Sequence, residues 1–236
     1  MDNVSARKTK RGSDEANVAR QEEILDTATA LFAEHGFSDA VTQALANRIG
    51  VGKGTIYRHF PSKRALFLAA ADRVMVKLRE RICEQTGGVE DGLARVEKAI
   101  SAFLSFFAEH PAYVELLIQE RAYFKDRQQP TYFEHREVNA LRWKQLYRDL
   151  MDQGRIREMP VERITMVLSN VVYGIMVTNL FSGQPKPSAV QAREILDIVF
   201  FGILTDEERR RRSPALGMDS CDALISESAA DRADAH

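Results

Sequence analysis

Five side chains within seven residues are of types that do chemistry. Lys53, Thr55, Tyr57, Arg58 and His59 offer two permanent cations, two hydroxyls and an imidazole, a set suited to phosphate oxygens and base edges. Ile56 and Phe60 lie four apart and share the opposite face of a helix. The donors are thereby gathered on the outer face. Immediately upstream, Leu45, Ala46 and Ile49 are apolar at helical spacing, and Gly50 can take the positive φ at which a helix stops. A tight turn at Val51 and Gly52 leads into a short helix from about Lys53. A helix, a glycine-bearing turn and a short helix with a basic, aromatic outer face form the helix-turn-helix pattern, whose second helix enters the DNA major groove. The letters GVGKGT also suggest a phosphate-binding loop, but that motif needs G-x-x-x-x-G-K-[ST] after a buried strand. Asn47 stands where its first glycine belongs and Gly54 where its hydroxyl belongs.

With its flanks, this stretch resembles the TetR family of bacterial transcriptional regulators. The resemblance is carried by Ile24-Leu25-Asp26-Thr27-Ala28, by Leu31-Phe32-Ala33-Glu34-His35-Gly36-Phe37, and by the unbroken run from Gly50 to Lys63. It covers roughly the first third of the chain; the rest is similar only in length and helical pattern. The resemblance implies an all-α protein: an N-terminal three-helix helix-turn-helix DNA-binding domain and a C-terminal helical ligand-binding and dimerisation domain. It implies that Lys53 and Arg58 meet phosphates or bases, that Tyr57 and His59 bond phosphates, and that Thr55 lies against a base edge or the backbone. Thr42 and Gln43 would approach the DNA from the preceding helix, and Lys63 would meet a phosphate. Two positions depart from the family pattern. Gly52 replaces a serine whose hydroxyl would cap the recognition helix, and Thr42 comes one residue after the usual capping position, which is Val41 here.

Composition narrows the alternatives. The 236 residues carry a net charge of −1, so any nucleic-acid contact must come from a local patch. Cys83 and Cys221 stand far apart in no metal or redox spacing, which fits a reducing compartment. The N-terminus is charged and lacks the apolar core of a signal peptide, so the expected location is cytoplasmic. No histidine follows a glutamate by three residues, as a di-iron bundle requires. The five histidines show no zinc spacing, and there is no dinucleotide fingerprint or nucleophilic constellation. No catalytic residue, metal or cofactor is expected.

Taken in order, 1–17 reads as a disordered arm whose Arg7, Lys8, Lys10 and Arg11 are either solvated or a basic arm for DNA. Residues 18–61 form the DNA-binding domain. Its first helix buries Ile24, Leu25, Ala28, Leu31 and Phe32 and ends at Gly36. Pro61 closes the recognition helix, and Ser62 caps a long helix over 62–85 that reaches into the rest of the chain. Residues 62–205 form the ligand-binding and dimerisation domain, and 206–236, with its run from Glu207 to Arg212, a disordered charged tail. The helix from Pro160 to Phe181 is apolar nearly all round, but its candidate membrane stretch, Ile164 to Phe181, is interrupted by Ser169, Asn170, Tyr173, Thr178 and Asn179. It and the last helix, 188–204, read as a symmetric four-helix dimer interface and not as a membrane span. Gly174 and Gly202 would permit close approach.

The middle helices are rich in aromatics, which suit an apolar pocket with a few polar groups. The candidate ligand residues are Phe103, Phe107, Leu117, Glu120, Tyr123, Phe124, Trp143, Tyr147 and Tyr173, with Asn139, Arg142 and Asn170 as weaker polar candidates. Glu120 sits at helical spacing with Leu116, Leu117 and Tyr123; if buried it needs a ligand cation, Arg121 or Arg142 as partner. The expected function is a repressor that binds a pseudo-palindromic double-stranded DNA operator as a homodimer and is released by a small, largely apolar effector. The alternative is a helical small-molecule-binding protein or enzyme with a vestigial DNA reader.

Overall fold

The computed structural model of this chain describes residues 2–37, 40–183 and 186–202, with side chains for 17–37, 41–183 and 186–202. The described residues form nine α-helices and no strand. They are α1 Asp2–His35, α2 Ala40–Arg48, α3 Lys53–His59, α4 Lys63–Thr86, α5 Gly92–Glu109, α6 Pro111–Tyr123, α7 Thr131–Asp152, α8 Val161–Ser182 and α9 Ser188–Phe201. The all-α expectation therefore holds. One expectation is corrected at the start: α1 runs through 2–17, where the sequence suggests a disordered arm. That stretch lacks proline, and its two Ala, two Arg, two Lys and one Glu are good helix formers.

The breaks fall where local chemistry demands them. Gly36 adopts φ +67 and its N–H bonds the Phe32 carbonyl at 2.8 Å, closing α1. Gly50 also sits at φ +67, and the next N–H, of Val51, reaches back to the Ala46 carbonyl at 3.0 Å, the six-to-one bond that terminates a helix on a left-handed residue. The Ser62 hydroxyl accepts the Ala65 N–H at 3.0 Å and starts α4. Pro111 occupies the first turn of α6, and Pro130 and Pro160 precede α7 and α8, positions where a missing N–H costs nothing.

Residues Met1–Ile195 form one compact unit. Its central element is α4, 24 residues and so about 36 Å long. It packs on α1 and α6 and also on α5 and α7, so no gap separates 18–61 from the helices of the middle of the chain. Leu66, Phe67, Ala70, Val74 and Leu78 form its buried stripe. Arg73 with Glu22, and Lys77 with Asp26 at 2.5 Å, tie α4 to α1 along a half-exposed edge. The helix α8 is long and apolar enough to cross a membrane by length and composition. In the fold its stripe of Leu168, Val172 and Met176 is buried while Met166, Val167 and Phe181 are exposed.

Leu196–His236 form the second unit, of which 196–202 are described. Here Ile198, Phe200 and Phe201 are exposed, and Gly202 follows α9 at φ +74. The expected extension of the last helix to Leu204 and the expected charged tail over 206–236 lie outside the described residues.

Candidate nucleic-acid interface and internal cavity

In α3 one side chain is anchored and the rest are presented. Ile56 is fully buried, and Phe60, just past the helix, is nearly so. Lys53, Tyr57 and Arg58 are exposed, while Thr55 and His59 are half-buried. Among the described residues, Lys53, Tyr57 and Arg58 have no intramolecular hydrogen-bond or ion-pair partner. No aspartate or glutamate occurs from Ala40 to Ala71, a span that holds Arg48, Lys53, Arg58, Lys63 and Arg64. A chain of net charge −1 thus gathers cations on the reader, although Arg64 is paired with Asp126. Gly52 supplies no side-chain cap to α3, and the Thr55 N–H closes on its carbonyl at 2.9 Å. On α2, Gln43 is exposed and donates to Asn47 Oδ1 at 2.9 Å. Arg48 is exposed nearby, a candidate contact missed from sequence although it shares the outer face of α2.

Two of the expected DNA contacts sit differently. Thr42 is 4% exposed, and among the described residues its hydroxyl has no hydrogen-bond partner. Inside α2, Thr42 lies three and four residues before Leu45 and Ala46 and so shares their inward face, with Val41 buried beside it. Its side chain therefore packs inside instead of approaching DNA. Lys63 is half-buried; its ammonium donates to the Phe37 carbonyl at 3.1 Å and lies 4.2 Å from the centre of the Phe37 ring.

A cavity of about 360 Å³ lies between α4, α5, α7 and α8. Met75, Leu78 and Ile82 of α4 and Val96, Ile100 and Phe103 of α5 line one wall. Tyr132, Arg136, Asn139, Trp143 and Tyr147, at helical spacing on α7, form the wall opposite, completed by Glu162, Thr165, Ser169 and Val172 of α8. Burial pushes the Tyr132 and Tyr147 phenols well above their usual range, so both stay protonated. Lys144 meets Glu162 at 3.1 Å across the α7–α8 side. The Glu162 carboxyl is held below its usual range by its own backbone N–H at the start of α8, then by Lys144.

Of the expected ligand residues, Phe103, Trp143 and Tyr147 line this cavity, as does Asn139. Phe107, Leu117, Glu120, Tyr123, Phe124 and Tyr173 do not. Phe107 packs edge-on to Phe103 and Phe106; Leu117 is core; Tyr173 lies against Tyr132 and Phe133. Phe124 inserts between Phe37 and Phe67, at 5.1 and 5.3 Å, and half-exposed Tyr123 flanks Phe37 at 5.4 Å. These last two belong to an aromatic seam between α1, α4 and the end of α6. Arg64, over the Phe124 ring at 4.9 Å and bonded to Asp126 at 2.5 Å, covers that seam.

Glu120 is 1% exposed, and neither Arg121 nor Arg142 is its partner. Its carboxylate accepts from Arg127 Nη1 at 2.5 Å and from the Thr131 N–H and hydroxyl at 3.0 and 3.1 Å. Arg127 also donates to Glu134 at 2.6 Å. This knot folds the 124–130 turn between α6 and α7. It was illegible from sequence because its members come together only when the chain reverses.

Comparison with known proteins completes the picture. Residues 24–70 match the family model described as bacterial regulatory proteins, tetR family. The HTH-type transcriptional repressor AcnR of Corynebacterium efficiens is 30% identical over 185 residues, which are 77% of this chain and 91% of AcnR. The uncharacterized HTH-type transcriptional regulator YerO of Bacillus subtilis is 27% identical over 173 residues. Those residues are 70% of this chain but 57% of YerO, so the chain spans little more than half of that relative. Among solved structures, the transcriptional regulator FadR from Bacillus subtilis in complex with stearoyl-CoA has a TM-score of 0.64 at 18% identity, over 78% of this chain and 99% of FadR. That likeness is one of fold.

Proposed function

The chain belongs to the TetR family of bacterial transcriptional regulators, and from that premise we propose that it is a homodimeric repressor released from its operator by a small, largely apolar effector. One observation carries the reading. The same helix, α4, has Phe67 in the aromatic seam behind the reader and Met75, Leu78 and Ile82 in the cavity wall. A ligand that prefers one placement of α4 shifts the reader with it, by no more than its differential affinity for the two states.

On the DNA side, Lys53, Arg58, Tyr57 and His59 supply phosphate and base donors, Thr55 and Gln43 lie beside them, and Lys63 sits at the same edge. Phosphate contacts give affinity and register, and base-edge contacts give sequence choice. Two readers on a two-fold axis would match a pseudo-palindromic site. The last two helices supply the contact between copies: α8 leaves Val167 and Phe181 exposed, and the C-terminal unit, taken by itself, leaves Ile198, Phe200 and Phe201 exposed. The repressing sign follows the function named for AcnR, and stearoyl-CoA on FadR is a precedent for a ligand with a long apolar chain on this fold. Such a regulator works in the cytoplasm.

The test is selection of bound sequences from random duplex DNA, then titration of the winner at two salt concentrations. A two-fold symmetric consensus with salt-dependent affinity is expected. Weak binding without sequence preference would overturn the reading.

A further inference from the structure

We infer that the cavity takes an amphipathic anion, a molecule with an apolar tail and a carboxylate-like head, and that Arg136 is the residue that reads the head. This deepens the proposed function and rests on the cavity being the effector site.

The two walls differ in chemistry. Every lining residue from α4 and α5 is apolar, and every polar or charged lining residue comes from α7 or α8. An occupant apolar throughout would leave the second wall unmatched, and a uniformly polar one would leave the first unmatched. A ligand polar at one end satisfies both.

The sign of the head follows from how the charged residues are used. Four line the cavity: Arg136, Glu137, Lys144 and Glu162. Lys144 and Glu162 neutralise one another. Glu137 is exposed and accepts from the Gln129 side-chain amide at 3.0 Å. Arg136 is half-buried, and among the described residues it has no carboxylate partner. One of its N–H groups donates to the neutral Asn170 Oδ1 at 3.2 Å, and the guanidinium stacks 4.8 Å from the Phe133 ring centre. A guanidinium carries five N–H donors in a fixed fork that fits a carboxylate with two parallel bonds. Arg136 is thus a positioned cation with donors to spare. Two neutral donors stand on the same cavity-facing stripe of α7. They are the Tyr132 phenol, four residues before Arg136, and the Asn139 amide, three residues after it. Arg136 is close enough that its charge opposes the upward push of burial on the Tyr132 phenol.

The experiment uses three probes with one tail, dodecanoate, dodecanol and dodecyltrimethylammonium, each below its micelle concentration. Trp143, the only tryptophan in the chain, lines the cavity, and its fluorescence reports occupancy of the full-length protein. Dodecanoate is expected to bind at least about tenfold more tightly than dodecanol, as a charge-assisted paired bond implies. Arg136→Met should bring the two to near parity with the dodecanol affinity kept, and Arg136→Lys should retain part of the preference. Parity of dodecanoate and dodecanol in the unmodified protein, tightest binding by the trimethylammonium probe, or an unchanged preference in Arg136→Met would each overturn the inference while leaving an apolar effector cavity in place. Failure of all three probes to bind would overturn the inference together with the cavity reading beneath it.

Discussion

Replacing Arg127 by Met should destabilise the protein far more than loss of an ordinary surface arginine. The guanidinium lies at 2.5 Å from a carboxylate that is 1% exposed. Removing one partner from a buried pair costs about 3–5 kcal/mol, because the other charge is stranded out of water. Here the loss should lie near the lower figure, since Thr131 still gives Glu120 its N–H and its hydroxyl. At roughly 2–4 °C per kcal/mol for a chain of this size, Tm should fall by about 6–12 °C. Adding Glu120→Gln removes the stranded charge, and the glutamine carbonyl can still accept from Thr131. The double variant should therefore melt above Arg127→Met alone, at a cost nearer that of one imperfect buried hydrogen bond, about 1–2 kcal/mol. The assay is thermal melting at one fixed protein concentration, because the proposed dimer would make stability depend on concentration. If Arg127→Met melts within about 2 °C of the unmodified protein, or the double variant melts below the single one, Glu120 is not held as described.

Three further outcomes are expected. Lys53→Ala and Tyr57→Ala should weaken operator binding with Tm unchanged, and the lysine change should lower the salt slope by about one; unchanged affinity in mobility-shift titrations of both would remove α3 as the reading face. Thr42→Val should leave operator affinity intact and raise stability by about 1 kcal/mol, since a buried hydroxyl with no partner among the described residues is replaced by a methyl of similar shape; weakened DNA binding in this variant would return Thr42 to the interface. The Asp91 carboxyl, which accepts the Ala94 N–H at the start of α5 and pairs with Arg155, is held below its ordinary 3.8 by that backbone bond first and by Arg155 second. A depressed folded value means that its stabilising effect is full above the unfolded pKa and is lost as pH falls through the folded one. Asp91→Ala should therefore lower Tm at pH 7 and lose that difference in strong acid; a Tm deficit that does not shrink with acid would refute the assignment.

The reader was legible because each of its features is local. A glycine at positive φ stops a helix wherever it occurs, and Ile56 and Phe60 fix the inward face of α3 from spacing alone, which leaves Lys53, Tyr57 and Arg58 outside. Thr42 shows the limit. Three and four residues before Leu45 and Ala46, it shares their inward face once it is inside the helix, and the start of α2 at Ala40 decides that it is inside and not a cap. The aromatics show another limit. Phe124 and Trp143 are equally apolar, so sequence cannot say that one seals the seam behind the reader while the other lines the cavity.

By itself, the sequence determined the helical class, the breaks at Gly36, Gly50, Pro111, Pro130 and Pro160, the outward chemistry of α3 and the length of α4. All of these derive from backbone sterics and periodicity within a few residues. Only the tertiary structure decided that Glu120 is held by Arg127 and Thr131, that Lys63 rests on the end of α1, and that Arg136 lines the cavity with no carboxylate partner among the described residues. Periodicity selects the face that is buried. Which neighbour meets that face, and whether a charge finds a partner, depends on how distant helices cross.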